Sequence, residues 1–243
     1  MLLNCLSYYS LKYGVLSIES VIDVVRRYGY KEIVLTEINT TSSFLSYMHL
    51  ARQKNIKAFC GVDVRNGDDK KYILIAKNRI GFYLINEFLN NHINKNIDFP
   101  DRAPELKDVY IIYPFKSYKG ETLKRNEFIG VRPSELNKLT FFDRPDILDK
   151  LIACPECVFI KKKDYEIHKN LRAIAKNTLI TRLRKEGISD IKNVYLPKNV
   201  FIDYYKDKFR LLDNVKFILN SSQLDIPYKT YKNHQNKERY LET

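Results

Sequence analysis

The chain alternates between short continuous apolar runs and apolar stripes of helical spacing. Asn4 to Ser10 reads as a short strand running into a turn. Ser17 is placed to cap a helix in which Ile18, Val21, Ile22 and Val25 recur at i, i+3, i+4 and i+7, one apolar stripe. Gly29 stands where that helix should stop, and Ile33-Val34-Leu35 follows as a run suited to a buried strand. Strand, helix and parallel strand are thus expected. The polar residues just beyond both strands lie at the carboxyl edge, where α/β folds build their sites.

The same alternation continues. Phe44, Leu45, Met48 and Ala51 predict a second amphipathic helix. Lys57 to Val64 predicts a third strand, Asn66-Gly67-Asp68-Asp69 a turn, and Tyr72 to Ala76 a fourth strand. Gly81 opens a helix with Phe82, Ile85 and Leu89 inward, and 90–104 reads as an exposed polar insertion. Strands are expected at Val109 to Tyr113 and Phe128 to Val131, and a helical segment from Ser134. Leu151 to Ala153 and Val158 to Ile160 flank a Cys-Pro-Glu-Cys turn. Asp164 to Asn177 predicts a helix with Ile167, Leu171, Ile174 and Ala175 on its inner side, continued or restarted over Leu179 to Lys185. Asn193 to Val200 reads as a loop and Phe209 to Leu219 as the last helix. The expected division is one domain over 1–220 and a basic tail or linker over 221–243. Alternating strands and helices argue for an α/β fold, a parallel barrel or sheet.

Composition adds three constraints. The chain of 243 residues carries a formal net charge of +13, a balance that favours polyanions such as DNA but that lysine-rich compositional drift also produces. No apolar run is long enough to span a bilayer and no secretory signal is visible, so a cytoplasmic protein is expected. Cys154-Pro155-Glu156-Cys157 has the spacing of half a zinc site or a redox pair; without an adjacent second half, reduced and buried thiols are the expectation.

Four stretches carry a family resemblance: Leu3-Asn4-Cys5-Leu6-Ser7-Tyr8-Tyr9-Ser10, Leu35-Thr36-Glu37-Ile38, Asn55 to Asp63, and Tyr72 to Asn78. The chain resembles the polymerase-and-histidinol-phosphatase (PHP) domain of bacterial DNA polymerase III alpha subunits, nearest to the Bacteroidetes type. That family reads Leu-x-x-His-Ser-x-Tyr-Ser and Leu-Thr-Asp-His at the first two stretches. The resemblance implies a distorted (β/α) barrel whose strand ends hold divalent metals that activate water against phosphorus. Its ligand positions fall on Asn4 and Leu6, Glu37 and Ile38, Asp63, Lys71, and, near the Cys-Pro-Glu-Cys turn, Glu156 and Val158.

Leucine, isoleucine and valine offer no lone pair, so Leu6, Ile38 and Val158 cannot bind zinc or manganese. The resemblance therefore implies a degenerate site with no catalytic residues and no resident metal. Glu37 and Asp63 remain weak candidates for one, or are solvated carboxylates at strand ends. Lys71 is expected to replace the lost cations by reaching Glu37 and Asp63; a slip of one residue would instead turn it to solvent. His168, on a predicted helix, is expected to pack or cap rather than to ligate.

The leading expectation is thus a structural domain in DNA replication, supporting the remaining domains of a polymerase alpha subunit or docking a proofreading exonuclease. The alternatives are a metal-dependent phosphoesterase or 3′–5′ exonuclease with altered ligands, using zinc or manganese, and a basic module binding DNA by charge. On the charge alone, the chain should bind duplex DNA without base preference at roughly 10⁻⁴ to 10⁻⁶ M at physiological salt. A fluorescence-anisotropy titration that shows the same affinity at low and high salt refutes this.

Overall fold

The computed structural model describes residues 1–141 and 144–224, with the side chains of 140 and 141 left aside. The part of the predicted tail from 225 onward lies outside the described residues. Seven strands form one sheet in sequence order: β1 Leu2–Cys5, β2 Glu32–Ile38, β3 Lys57–Asn66, β4 Asp69–Ala76, β5 Val109–Pro114, β6 Glu127–Val131 and β7 Leu151–Ala153. Helices α1 Ile18–Arg27, α2 Phe44–Gln53, α3 Arg79–Ile93, α4 Lys162–Ala175, α5 Lys198–Tyr204 and α6 Phe209–Asn220 accompany it.

The sheet is mixed, not parallel throughout. β4 runs antiparallel to both β3 and β5. The cause is local: β3 and β4 are joined by only two residues, Gly67 and Asp68, too few for a crossover. Gly67 has φ +60°, the positive φ that a type II′ hairpin turn places at its first central residue. The sheet curls until the segment after β7 returns to β1. There Cys157 donates to the Asn4 carbonyl at 2.9 Å, and the Leu6 amide donates to the Cys157 carbonyl at 3.0 Å. The result is a mixed α/β, barrel-like architecture.

Several elements match the apolar pattern. Ser17 caps α1 by accepting from the Ser20 amide at 3.1 Å, and α1 buries Ile18, Val21, Ile22, Val24 and Val25. Helix α6 buries Leu211, Leu212, Val215, Ile218 and Leu219. Buried tyrosines fasten the surroundings to the sheet through their hydroxyls: Tyr47 donates to the Ile33 carbonyl at 2.7 Å, and Tyr205 to the Val131 carbonyl at 2.8 Å.

Other segments depart from expectation. In α2, Tyr47 rather than Leu45 faces the core. The stretch 90–104 is not simply exposed: α3 extends to Ile93, and Phe99 and Ala103 are buried. Asn66 holds Phe99 there, accepting from its amide at 2.9 Å and donating to its carbonyl at 2.8 Å. Leu179 to Lys185 is not a helix but short 3₁₀ turns, Ile180–Arg182 and Lys185–Gly187. The loop from Asn193 gives way at Pro197 to α5, since proline suits a helix start.

Helix α4 is rotated from the predicted orientation. It buries His168, Arg172 and Ala173, while Ile167 and Ile174 are exposed. Polar anchoring outweighs the apolar stripe here. His168 contacts the Tyr13 carbonyl through Nδ1 at 2.6 Å and accepts from the Ser189 amide at Nε2 at 2.9 Å. Arg172 donates to the carbonyls of Gly187 at 2.7 Å and Lys12 at 3.2 Å. Histidine as a packed, hydrogen-bonded group at 168 agrees with the expectation. Burial pushes its imidazole down to about 4, so it is neutral at pH 7 and donates from Nδ1.

The loop after β1 carries Tyr13 into this arrangement and turns tightly at Gly14. A methyl group at residue 14 would stand 1.8 Å from the Ser7 carbonyl oxygen, a backbone atom that no rotamer change can move. Gly14→Ala is therefore expected to destabilise the fold by roughly 1–3 kcal/mol or more. A thermal melt with an unchanged Tm would refute this reading of the loop.

Candidate functional site

The carboxyl ends of β1 and β3 and the Cys-Pro-Glu-Cys turn surround a cavity of about 230 Å³, lined in part by Asn4, Tyr13, Arg65, Lys70, Arg132 and Glu156. On β3, Asp63 and Arg65 are two residues apart and share a face. Arg65 grips Asp63 with two bonds, Nε to Oδ1 at 2.9 Å and Nη2 to Oδ2 at 2.6 Å. The same Nη2 donates to Glu156 Oε1 at 2.6 Å. Lys70 Nζ completes the group, at 2.7 Å from Asp63 Oδ2 and 3.2 Å from Glu156 Oε1. Asn193 donates to the other Glu156 oxygen at 2.9 Å.

Two carboxylates are thus matched by two cations at largely buried positions. Asp63 is fully buried, and Arg65 and Glu156 nearly so. Burial alone would raise the Glu156 carboxyl, but Lys70 and Arg65 outweigh it and hold the group down at about 2. Burial likewise disfavours charge on Lys70, and Asp63 and Glu156 reverse that, leaving its ammonium harder to deprotonate than usual. The Arg65 guanidinium also lies over the Tyr13 ring at 4.6 Å, with Arg172 at 5.2 Å from the same ring centre.

Lys71 does not reach Asp63; Lys70 does, and its second partner is Glu156 rather than Glu37. The register explains the correction. Val64 pairs with Tyr72, but the next residue, Arg65, pairs with Lys70. Lys71 is the extra residue of a β-bulge, which resets the alternation and turns Lys70 inward. Lys71 instead meets Asp69 at 2.7 Å and Asp101 at 2.5 Å at the surface.

Glu37 does not converge with Asp63. Ile38 is the β2 residue in register with Asp63, and neighbours on a strand face opposite ways. Glu37 lies buried among serines, accepting from the Ser7 amide at 3.2 Å and from the hydroxyls of Ser7 and Ser10. Burial raises its carboxyl above the usual range, and these hydrogen bonds only partly offset it. Neither is it a solvated strand-end carboxylate. It fastens the loop after β1 to β2.

The positions without lone pairs come together. Leu6 and Val158 pack with Tyr13 and Phe159 in a small apolar cluster, and Ile38 lies against it. Asn4 accepts from the Thr36 hydroxyl at 2.9 Å. All four cysteines are free and buried, and burial raises the Cys154 thiol to about 12. The donor set does not fit a divalent metal cluster: Asp63 and Glu156 already face an ammonium and a guanidinium, and aliphatic side chains occupy the neighbouring positions.

The sequence pattern missed Arg65, Lys70, Tyr13 and Asn193 as members of this group. The two-residue spacing of Asp63 and Arg65 was a signal for the first. Nothing in the sequence announces the bulge that selects Lys70.

The PHP domain model matches residues 3–176. The chain belongs to the PHP domain family. This PHP domain has no match among curated proteins. Among solved structures it is similar to a "putative metal-dependent phosphoesterase" from Bifidobacterium adolescentis, with a TM-score of 0.33 and 9% identity over 84% of this chain. It spans 62% of that protein's length.

Removing one member of a buried ion group leaves an uncompensated charge, which typically costs about 3–5 kcal/mol. Lys70→Met is expected to destabilise the PHP domain on that scale, and Lys71→Met, at an exposed pair, by under about 1 kcal/mol. Urea titrations giving the reverse order would refute the assignment. The depressed Glu156 carboxyl adds a pH dependence. Its contribution is complete above the ordinary value of 4.5 and is lost as pH falls toward about 2. The stability gap between the parent and Glu156→Gln should therefore narrow across that window. A gap constant from pH 6 to pH 2 would contradict it.

Proposed function

We propose that this PHP domain is a structural, non-hydrolytic domain of a replicative DNA polymerase III alpha subunit of the Bacteroidetes type, supporting the polymerase core or docking a proofreading exonuclease. The observation that carries the loss of hydrolysis is the pairing of Asp63 and Glu156 with Arg65 and Lys70. Side-chain cations balance the acids without metal, and they supply no Lewis-acidic centre to lower the pKa of a water. The apolar packing of Leu6, Val158 and Ile38 supports the same reading. The polymerase assignment rests on the resemblance at Leu3 to Ser10, Leu35 to Ile38, Asn55 to Asp63 and Tyr72 to Asn78.

The alternative, a zinc- or manganese-dependent phosphoesterase or exonuclease, requires the carboxylates to exchange Arg65 and Lys70 for metal. Protein purified without chelator is expected to hold well under one zinc or manganese per chain and to leave bis(p-nitrophenyl) phosphate intact when either metal is added. Near-stoichiometric metal, with hydrolysis abolished by Asp63→Ala, would establish the alternative. The gene tests the polymerase assignment separately: the reading frame beyond Thr243 should encode polymerase domains, and a stop codon there would exclude it.

A further inference from the structure

The geometry of α4 points to a docking surface on its outer side, and we propose that it receives an acidic amphipathic segment of a partner protein. His168 and Arg172 commit the polar side of α4 to the interior. The apolar stripe is therefore left facing out. Ile167 is 41% exposed and Ile174 65%, and the turn that follows adds Leu179 at 63% and Ile180 at 44%. Between the helix end and this turn lies a shallow, open groove lined by Ala173, Ile174, Thr178, Leu179 and Ile180. Apolar side chains clustered in a groove mark a contact surface rather than scattered exposure.

The charge along the outer side of α4 and just after the turn indicates what covers this surface. Lys163 stands one turn before Ile167 on the same face, and Arg182 and Arg184 follow Ile180; all three are exposed. The acidic Glu166 is already engaged by Lys169 at 2.6 Å. An occupant with leucine-like side chains for the groove and carboxylates for the rim fits both features. A helix laid in a groove presents that combination at i and i+4 spacing. The apolar residues are confined to the end of α4 and the turn after it, an extent that one short helix covers. The surface lies on the side of α4 opposite the Asp63–Arg65 group, and the inference stands whether or not that group is catalytic.

The full chain can be titrated with a fluorescent synthetic helix bearing leucines at i, i+4 spacing and flanking glutamates. A scrambled peptide of equal composition controls for the +13 net charge of the chain. Saturable binding to the ordered peptide alone is expected. Ile174→Asp and, separately, Arg182→Glu with Arg184→Glu should each weaken it by about tenfold or more, less than the loss of one buried apolar side chain permits. All three positions are exposed, so Tm should hold; the charge variant carries the test if Ile174→Asp unfolds. Equal binding of the scrambled peptide, or unchanged affinity in both variants, would overturn the proposal. So would co-sedimentation with phosphatidylserine vesicles in place of peptide binding, or a dimer abolished by Ile174→Asp in place of it.

Discussion

Asp63 and Glu156 are brought within reach of each other from distant parts of the chain, one on β3 and one in the turn after β7. Buried beside each other without counter-ions they would repel, and one would protonate. Arg65 and Lys70 remove that conflict and bind the two segments together. The turn that holds Glu156 also carries Cys157, whose backbone returns the sheet to β1. The ion group and the curl of the sheet therefore depend on each other. Its energetic character follows: a complete buried group need not exceed an apolar core in stability, but an incomplete one is costly.

The group is tied outward by aromatic and carbonyl contacts. Arg65 lies over Tyr13, Tyr13 receives Arg172 on the same ring, and Arg172 reaches Asp68 at the β3–β4 turn. His168 contacts the Tyr13 backbone and fixes Ser189 in turn. Thus β3, the loop after β1, α4 and the segment near Ser189 share one polar framework. The inward commitment of α4 and the outward apolar stripe are two consequences of that framework. No described helix is long and apolar enough to cross a membrane.

Beside the ion group of this PHP domain lies an apolar cluster of Leu6, Val158, Tyr13 and Phe159. Both arrangements serve packing: aliphatic side chains fill space and cationic ones cancel charge. Glu37, held by serine hydroxyls and an amide, shows a third solution for a buried carboxylate, with hydrogen bonds in place of a counter-ion.

Much of this was legible in the sequence because it is local. Apolar spacing fixed α1 and α6, and short β-rich runs located the strands. The expectation that Leu6, Ile38 and Val158 offer no metal ligand also needed only the sequence, since an aliphatic side chain lacks a lone pair in any fold. The two-residue connection at Gly67-Asp68, which made β4 antiparallel, is local too. Tertiary structure alone decided two things. The bulge at Lys71 exchanged Lys70 for it, because one added residue reverses every side chain beyond it. And α4 turned its polar face inward because the carbonyls of Tyr13, Lys12 and Gly187 and the amide of Ser189 wait there. Those partners lie in other segments, and only the folded chain brings them to His168 and Arg172.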